Sequence, residues 1–388
     1  MQYMAFGKKN TVNLDPLAYN ICLLGESKVG KTTIIKEVCE KLAGEDGYLF
    51  LECGTERGAD AIQGINYINC PEWNMDFDEL TNSAGLADVC NDIIDNKTSE
   101  YPALKAVVFD TYDHLIDIAE QESIRLFNQE CRKSGHPEKC VKTINQAWSG
   151  YGRGEKKAIE LMFDMMAKLR GVGVASIVIG HVKTKDVSDV VTGESYQILT
   201  SDQQQNYFNA LKKNLHFLGL AYIDRNLVKE KTGRKNMVTK KDEIVTKVSG
   251  ETRRIKFRDD SYAVDSGSRF ADIVSEIDMN ADDFIKAITD AIKAEQSKSG
   301  VSLADAKKKQ AAQEKELEER IAKQEEDTKT KKELDEIVSH IVDFFAANKS
   351  DIDKIKPVLT AIKNAGYANP KEISSIKDAQ AILALTLQ

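Results

Sequence analysis

The sequence predicts an α/β fold with a parallel central sheet over residues 16–277, then a charged helical linker at 278–336 and a small all-α domain at 337–388; residues 1–15 form an N-terminal segment. Three observations carry this prediction. Short apolar runs recur at Ile21–Leu24, Tyr48–Leu51, Ala106–Phe109 and Val174–Ile179, the pattern of strands buried on both faces. Stretches with apolar residues three and four apart lie between them, so strand alternates with helix and the sheet is parallel and covered on both sides. Beyond Asp278 the chain turns helical and polar: 19 of the 35 residues from Val301 to Asp335 are charged, and no proline occurs between Pro137 and Pro357.

In chain order, the first apolar run leads into a glycine-rich stretch and then a stripe of Ile34, Ile35, Val38, Cys39 and Leu42, closed by Gly44. Leu115, Ile118, Ile124 and Leu126 mark a second helix. Ala158, Leu161, Met162, Met165, Met166 and Leu169 mark a third, ending near Gly171. Lys183–Ser201 is polar with little periodicity and reads as a long loop. Gln203–Leu215 reads as a helix, Leu218–Ile223 and Arg254–Arg258 as further strands, and Lys231–Lys241 as a turn or hairpin tip. Leu317 and Ile321 do not extend into heptads, so the charged stretch is a solvated helix rather than a coiled coil. Apolar residues return at Ile341, Phe344, Phe345, Ile355, Val358, Leu359, Ile362, Ile373, Ile382 and Leu385, the content of a small helical domain with turns near Gly366 and Pro370.

Composition limits the classes of function. Net charge is -8, from 54 basic and 62 acidic residues, so no overall field draws the chain onto nucleic acid. Met1–Asn10 has no signal-peptide core and no apolar run reaches membrane-helix length, which predicts a cytoplasmic protein without a membrane partner. Seven scattered cysteines argue against a disulfide framework. Cys131, His136 and Cys140, with Cys90 or His114, are metal-ligand types, but the paired spacing of a zinc site is missing.

The chemistry concentrates at Gly25-Glu26-Ser27-Lys28-Val29-Gly30-Lys31-Thr32, which matches G-x-x-x-x-G-K-[ST], between a predicted strand and a predicted helix. Glycines let the backbone wrap closely around phosphate, and the helix turns its positive end to the same anion. Lys31 is expected on the β- and γ-phosphates of ATP, Thr32 on Mg²⁺ and Thr33 at the α-phosphate. Mg²⁺ also needs a carboxylate at a strand end, and Asp110, closing Ala106–Asp110, is the candidate. Hydrolysis needs a group that orients or deprotonates water. Thr111 follows Asp110, so the acid comes from a neighbouring strand: Glu52 at the end of Leu49–Glu52, with Glu56 as its rival. His181, at the tip of Val174–Ile179, is the candidate γ-phosphate sensor.

In this order, phosphate loop, strand plus acid, strand plus Asp110, strand plus polar tip, and with Val178-Ile179-Gly180-His181-Val182-Lys183, the chain resembles the phage-encoded RecA-like P-loop ATPases of single-strand annealing and recombination, over about Asn20 to Ala271. The resemblance implies a RecA-like core and ATP hydrolysis, with Glu52 activating water and His181 linking γ-phosphate to a DNA-binding loop at Lys183–Ser201. It also implies single-stranded DNA as partner, a ring or filament of identical subunits with ATP near their boundaries, and location in the bacterial host's cytoplasm. One departure is plain. The basic pair that the family often carries after its last core strand is missing from Tyr262–Arg269, with Arg258 and Arg269 the nearest substitutes.

From the residues themselves, Asp224–Arg258 carries 12 basic and 5 acidic residues, a local excess suited to phosphate backbones. Lys183 and Lys185 extend it, and Tyr196 and Tyr207 are candidates for stacking on bases. Two other classes stay open: a protein-assembly or remodelling ATPase that engages a protein partner through the C-terminal helices, and a nucleotide switch without DNA binding.

Overall fold

The computed structural model describes residues 11–55, 57–188, 194–235, 242–258, 267–349 and 351–386, with the side chains at 187, 196, 226–235 and 242–249 left out. It divides into two compact units, residues 1–94 with 101–314 and residues 95–100 with 315–388.

The first unit alternates strand and helix: β1 (Ile21–Gly25), α1 (Lys31–Ala43), β2 (Tyr48–Cys53), β3 (Tyr67–Cys70), α2 (Leu86–Asp95), β4 (Ala106–Asp110), α3 (Tyr112–Lys133), α4 (Arg153–Gly171), β5 (Ala175–Ser188), β6 (Ser195–Ser201), α5 (Gln205–Asn214), β7 (Phe217–Lys235), β8 (Asp242–Lys256), β9 (Gly267–Ser268), β10 (Glu276–Asp278) and α6 (Ala281–Ser297). One sheet runs β10-β8-β7-β1-β5-β4-β2-β3. The six strands from β7 to β3 are mutually parallel, while β8, β10, β6 and β9 pair antiparallel. The predicted α/β fold with its parallel sheet is therefore present.

The apolar runs form strands because both faces are covered. Ile21, Leu23, Phe50, Val108 and Ile177 share one core cluster with Ile34, Ile35 and Val38 of α1. Cys22, Leu24, Val107, Phe109 and Val178 alternate with them and are just as buried. Parallel strands bring all their C-terminal ends to one side of the sheet, and there the predicted site residues meet.

Three expectations need correction. Lys183–Ser201 is not a long loop: β5 continues to Ser188 and pairs with β6 from Val182↔Ser201 to Ser188↔Ser195. Lys183, Thr184, Lys185 and Asp186 are not buried, so neither face needs apolar residues and no period-2 signal exists to read. The strands expected at Leu218–Ile223 and Arg254–Arg258 are parts of much longer ones, β7 and β8, which pair out to Lys235↔Asp242; residues 236–241 of the expected tip lie outside the described residues. Ala281–Ser297, read as the start of a solvated linker, packs into the core through Phe284, Ala287, Ile288, Ala291 and Ile292. Its polar content occupies the other face, and Asn280 caps it by accepting from Asp283 N.

The second unit is helical. It contains most of α7 (Leu303–Ala347), then α8 (Ile352–Asn364) and α9 (Ile376–Thr386). Ile337 and Ile341 of α7, Val358 and Ile362 of α8, Ile373, and Ala379 and Ile382 of α9 form its core. Glu325 is buried and accepts from Thr98 N and Oγ1, and Lys332 pairs with Asp95 at 2.7 Å. Among the described residues no helix is long and apolar enough to cross a membrane.

Candidate functional site

The loop between β1 and α1 has the geometry its glycines call for. A Cβ on Gly25 would stand 2.8 Å from the Ala221 carbonyl oxygen on β7, so only glycine lets the strands pack this closely. Gly30 has φ +105°, which a side chain would strain, and its carbonyl receives Ile34 N at 3.1 Å to start α1. Lys31 is buried, and its Nζ donates to the carbonyls of Gly25 (3.1 Å) and Glu26 (2.9 Å). An ammonium curled onto its own loop is thus held where an anion in the loop would meet it.

Thr32 and Asp110, 78 residues apart in sequence, meet directly: Thr32 Oγ1 donates to Asp110 Oδ2 at 2.7 Å. Two hard oxygens at this spacing beside a phosphate loop are a donor set that fits Mg²⁺. Thr33 is exposed one position further along α1.

Glu52 lies directly across from Asp110 in the β2–β4 register. It is buried, at 2% exposure, yet only one of its oxygens is satisfied: Oε1 accepts Ala59 N at 2.5 Å, while Oε2 has no partner. Burial pushes its carboxyl up to about 7; the Ala59 amide opposes this and the charge of Asp110 adds to it. The backbone between β2 and the following turn links Glu52 to the loop, since a Cβ on Gly58 would stand 3.6 Å from Glu52 Oε1 and 4.0 Å from Thr32 Oγ1. A carboxyl with one free buried oxygen and a proton affinity near neutrality can exchange a proton with water. Glu56, its rival, lies outside the described residues.

His181 is placed opposite Gly25 in the β1–β5 register, so β5 stands between the phosphate-loop strand and the Asp110 strand. Its Nδ1 lies 2.7 Å from Asp113 Oδ2, which also accepts His181 N at 3.1 Å. Gln203 Nε2 donates to the other Asp113 oxygen at 2.5 Å. Burial works to raise the Asp113 carboxyl, but hydrogen bonds from His181 and Gln203, together with the His181 charge, outweigh it and hold it below the usual range. Asp113 thus ties the tip of β5 to the segment that follows the β5–β6 hairpin. Sequence reasoning missed it; its signal was an acid three residues after Asp110, which a helix N-terminus attracts for its own reasons.

The other candidates separate. Tyr207 is buried at 1% exposure, with its hydroxyl donating to Glu120 Oε1 at 2.5 Å, because it faces inward from α5; it is not available to stack on a base. The Tyr196 side chain lies outside the described residues. Arg258 Nη1 donates to the Ala271 carbonyl at 2.9 Å and Arg269 Nη2 to the Lys213 carbonyl, so both serve their own chain's backbone. Two arginines that went unremarked in the sequence stand at the phosphate loop instead. Arg225 of β7 pairs with Glu26 at 3.7 Å, and Arg253 of β8 stands beside Gly30.

No characterised protein matches the chain in a sequence comparison. A family model does, over residues 17–249, a span that begins just before β1 and ends within β8, and by that match the chain belongs to the AAA domain family of P-loop ATPase-like proteins.

Proposed function

We propose that the chain is an ATPase acting on single-stranded DNA in recombination, annealing or replication. The nucleotide half rests on one arrangement above all: Thr32 bonded to Asp110, with the half-satisfied Glu52 in register beside it. Thr32 would hold Mg²⁺ and Asp110 its water shell. Bound there, Mg²⁺ supplies positive charge to the phosphate oxygens. Lys31 exchanges the Gly25 and Glu26 carbonyls for phosphate. Glu52, ionised, takes the proton of a water whose oxygen attacks the γ-phosphorus, and ADP departs with the bonding electron pair. Through Asp113, His181 carries the state of that edge to Gln203 and the β5–β6 hairpin.

The DNA half rests on charge. β7 and β8 span the stretch with 12 basic and 5 acidic residues, and Lys183 and Lys185 lie on the uncovered part of β5. A further surface favours it. From Arg125 to Lys157 the chain carries 8 basic and 3 acidic residues, and a groove of about 510 Å³ there is lined by Phe127, Trp148, Arg153, Lys156 and Lys157, with Glu130 and Glu160. The Phe127 and Trp148 rings lie 5.6 Å apart, Trp148 Nε1 donates to the Ser123 carbonyl at 3.2 Å, and Tyr151 is 99% exposed nearby in sequence. Fixed aromatic planes among cations suit unstacked bases. A phage origin, assembly into rings or filaments and action in the bacterial cytoplasm belong to the same reading.

The test is ATP turnover with and without single-stranded DNA, for wild type and Lys31→Ala, at low and moderate salt. DNA stimulation that weakens with salt and vanishes in the variant supports the proposal. Turnover dependent on Lys31 but indifferent to DNA would move the reading to a protein-remodelling ATPase. That alternative has one observation of its own: Ile352 (74% exposed) and Leu359 (38%) of α8 present apolar surface to solvent. No turnover despite nucleotide binding would favour a switch.

A further inference from the structure

The base of the β7–β8 hairpin carries three described arginines with different surroundings. Arg225 has carboxylates on both sides, Glu251 at 3.1 Å and Glu26 at 3.7 Å. Arg254 is held by Glu276 at 2.8 Å, with Asp224 and Asp278 at the limit of ion-pair distance. Arg253 has no carboxylate partner among the described residues, and its guanidinium, like that of Arg225, is turned to the phosphate loop. Its Nη1 stands 3.4 Å from the place a Cβ on Gly30 would take.

The backbone that delivers it is fixed. Arg253 pairs with Ile223 in the β7–β8 ladder, and its carbonyl receives Met279 N at 3.0 Å. Gly30 directly precedes Lys31 and the first turn of α1, so an exposed guanidinium with no carboxylate partner among the described residues, a buried ammonium and the positive end of a helix converge on one turn. Like charges so placed repel one another unless an anion joins them. The amides of this loop cradle α- and β-phosphates, whereas the loop lysine reaches the β/γ side.

We propose that Arg253 is a nucleotide-binding residue acting in cis, its guanidinium closing on the α- and β-phosphates from the side opposite the loop amides. This rests on the nucleotide reading above and adds a consequence to it. A nucleotide held between the loop and Arg253 joins the phosphate site to the base of the hairpin that bears the chain's largest basic excess. Arg225 is the counterpart, tying the same hairpin base to Glu26 through an ion pair that needs no nucleotide.

The experiment is equilibrium titration of the full chain with fluorescent ATP and ADP analogues and Mg²⁺, for wild type, Arg253→Ala, Arg253→Lys and Lys31→Ala, with thermal unfolding of each in the absence of nucleotide. Arg253→Ala is expected to weaken ATP and ADP alike by about tenfold, the scale of one charge-assisted hydrogen bond. Arg253→Lys recovers part of that loss, and the melting temperature without nucleotide stays close to wild type. Arg253→Ala binding both nucleotides as wild type does would overturn the inference. Tight binding regained on mixing Arg253→Ala with Lys31→Ala would overturn the assignment in cis, since only a site shared between subunits can complement in this way. If wild type binds neither nucleotide, the nucleotide reading itself falls, a result distinct from either of these.

Discussion

β5 and β7 each contain two kinds of structure along a single strand. Their first halves lie in the parallel sheet, where Ile177, Ile179, Phe217 and Leu220 are fully buried. Past His181 and Ile223 the same strands continue as antiparallel hairpins with β6 and β8. The buried halves place chemistry: register sets Glu52 against Asp110 and Gly25 against His181, and a shift of one residue would exchange the two buried faces and undo the packing of side chains on both. The outer half of β5, exposed from Lys183 to Asp186, is free of that constraint and carries charge instead. Catalytic groups need fixed positions and a polyanion needs only cations within reach, so one strand can serve both.

The comparison is sharpest where the two halves predict different kinds of loss. Lys31→Ala should cut nucleotide binding and turnover together, by a factor on the order of 1000, since the loop loses its one buried cation on the phosphates. A smaller deficit in turnover would mean that the parallel edge is not the working site. Glu52→Gln should lower turnover by about 100-fold or more while leaving nucleotide affinity near wild type, as expected of a proton acceptor. Its stability runs the other way. With the folded carboxyl raised to about 7, the folded state holds more protons than the unfolded one between about pH 4.5 and 7, so wild-type stability falls as pH rises through that window. Glu52→Gln removes this penalty and should raise the unfolding free energy at pH 8 by up to about 3 kcal/mol, with little gain at pH 4. Denaturant titrations at the two pH values decide it.

The same division explains what could be read from the sequence. β1, β2, β4 and the core part of β5 were legible because double burial leaves continuous apolar runs. The phosphate loop and Asp110 were legible because loop spacing and strand ends constrain residue type. β6 and the outer part of β5 were not, since uncovered strands such as Lys183–Asp186 need no apolar residue on either face. β3 was hidden by brevity, its four residues Tyr67–Cys70 being only half buried. Tyr207 misled because an aromatic beside a polar stretch looks available, and only the α3–α5 packing shows its hydroxyl spent on Glu120. Spacing could not assign a role to Asp113 or Arg253: the neighbours that define them are His181 and Gln203 in one case and Gly30 in the other.

On the hairpin side the expected effects are smaller and graded. Lys185 is exposed, whereas Lys183 Nζ is engaged by Asp202, at 2.7 Å to its carbonyl and 3.2 Å to its carboxylate. Lys185→Ala should therefore weaken single-stranded DNA binding more than Lys183→Ala. For each DNA phosphate that a variant no longer neutralises, the slope of log affinity against log salt should shrink by about 0.7. Equal slopes in wild type and both variants would take the β5–β6 hairpin out of the proposed DNA surface.

The smallest effect lies at the junction of the two halves, and there the sign matters more than the size. Asp113 is also a carboxyl at the sheet's C-terminal side, with 17% of its side chain exposed, but His181 and Gln203 hold it below the usual range, opposite to Glu52. A lowered folded value means that its contribution is fully present above the unfolded value near 3.9 and disappears as pH falls through the folded value. Asp113→Asn should then cost about 1 kcal/mol at pH 7, and its deficit against wild type should close as the pH drops towards 3. Glu52→Gln and Asp113→Asn thus depart from wild type in opposite directions as the pH rises out of the acid range. If both variants shifted stability in the same direction at every pH, the two carboxyls would share one environment, and the separation of a proton-exchanging group from a positioning one at this edge would not hold.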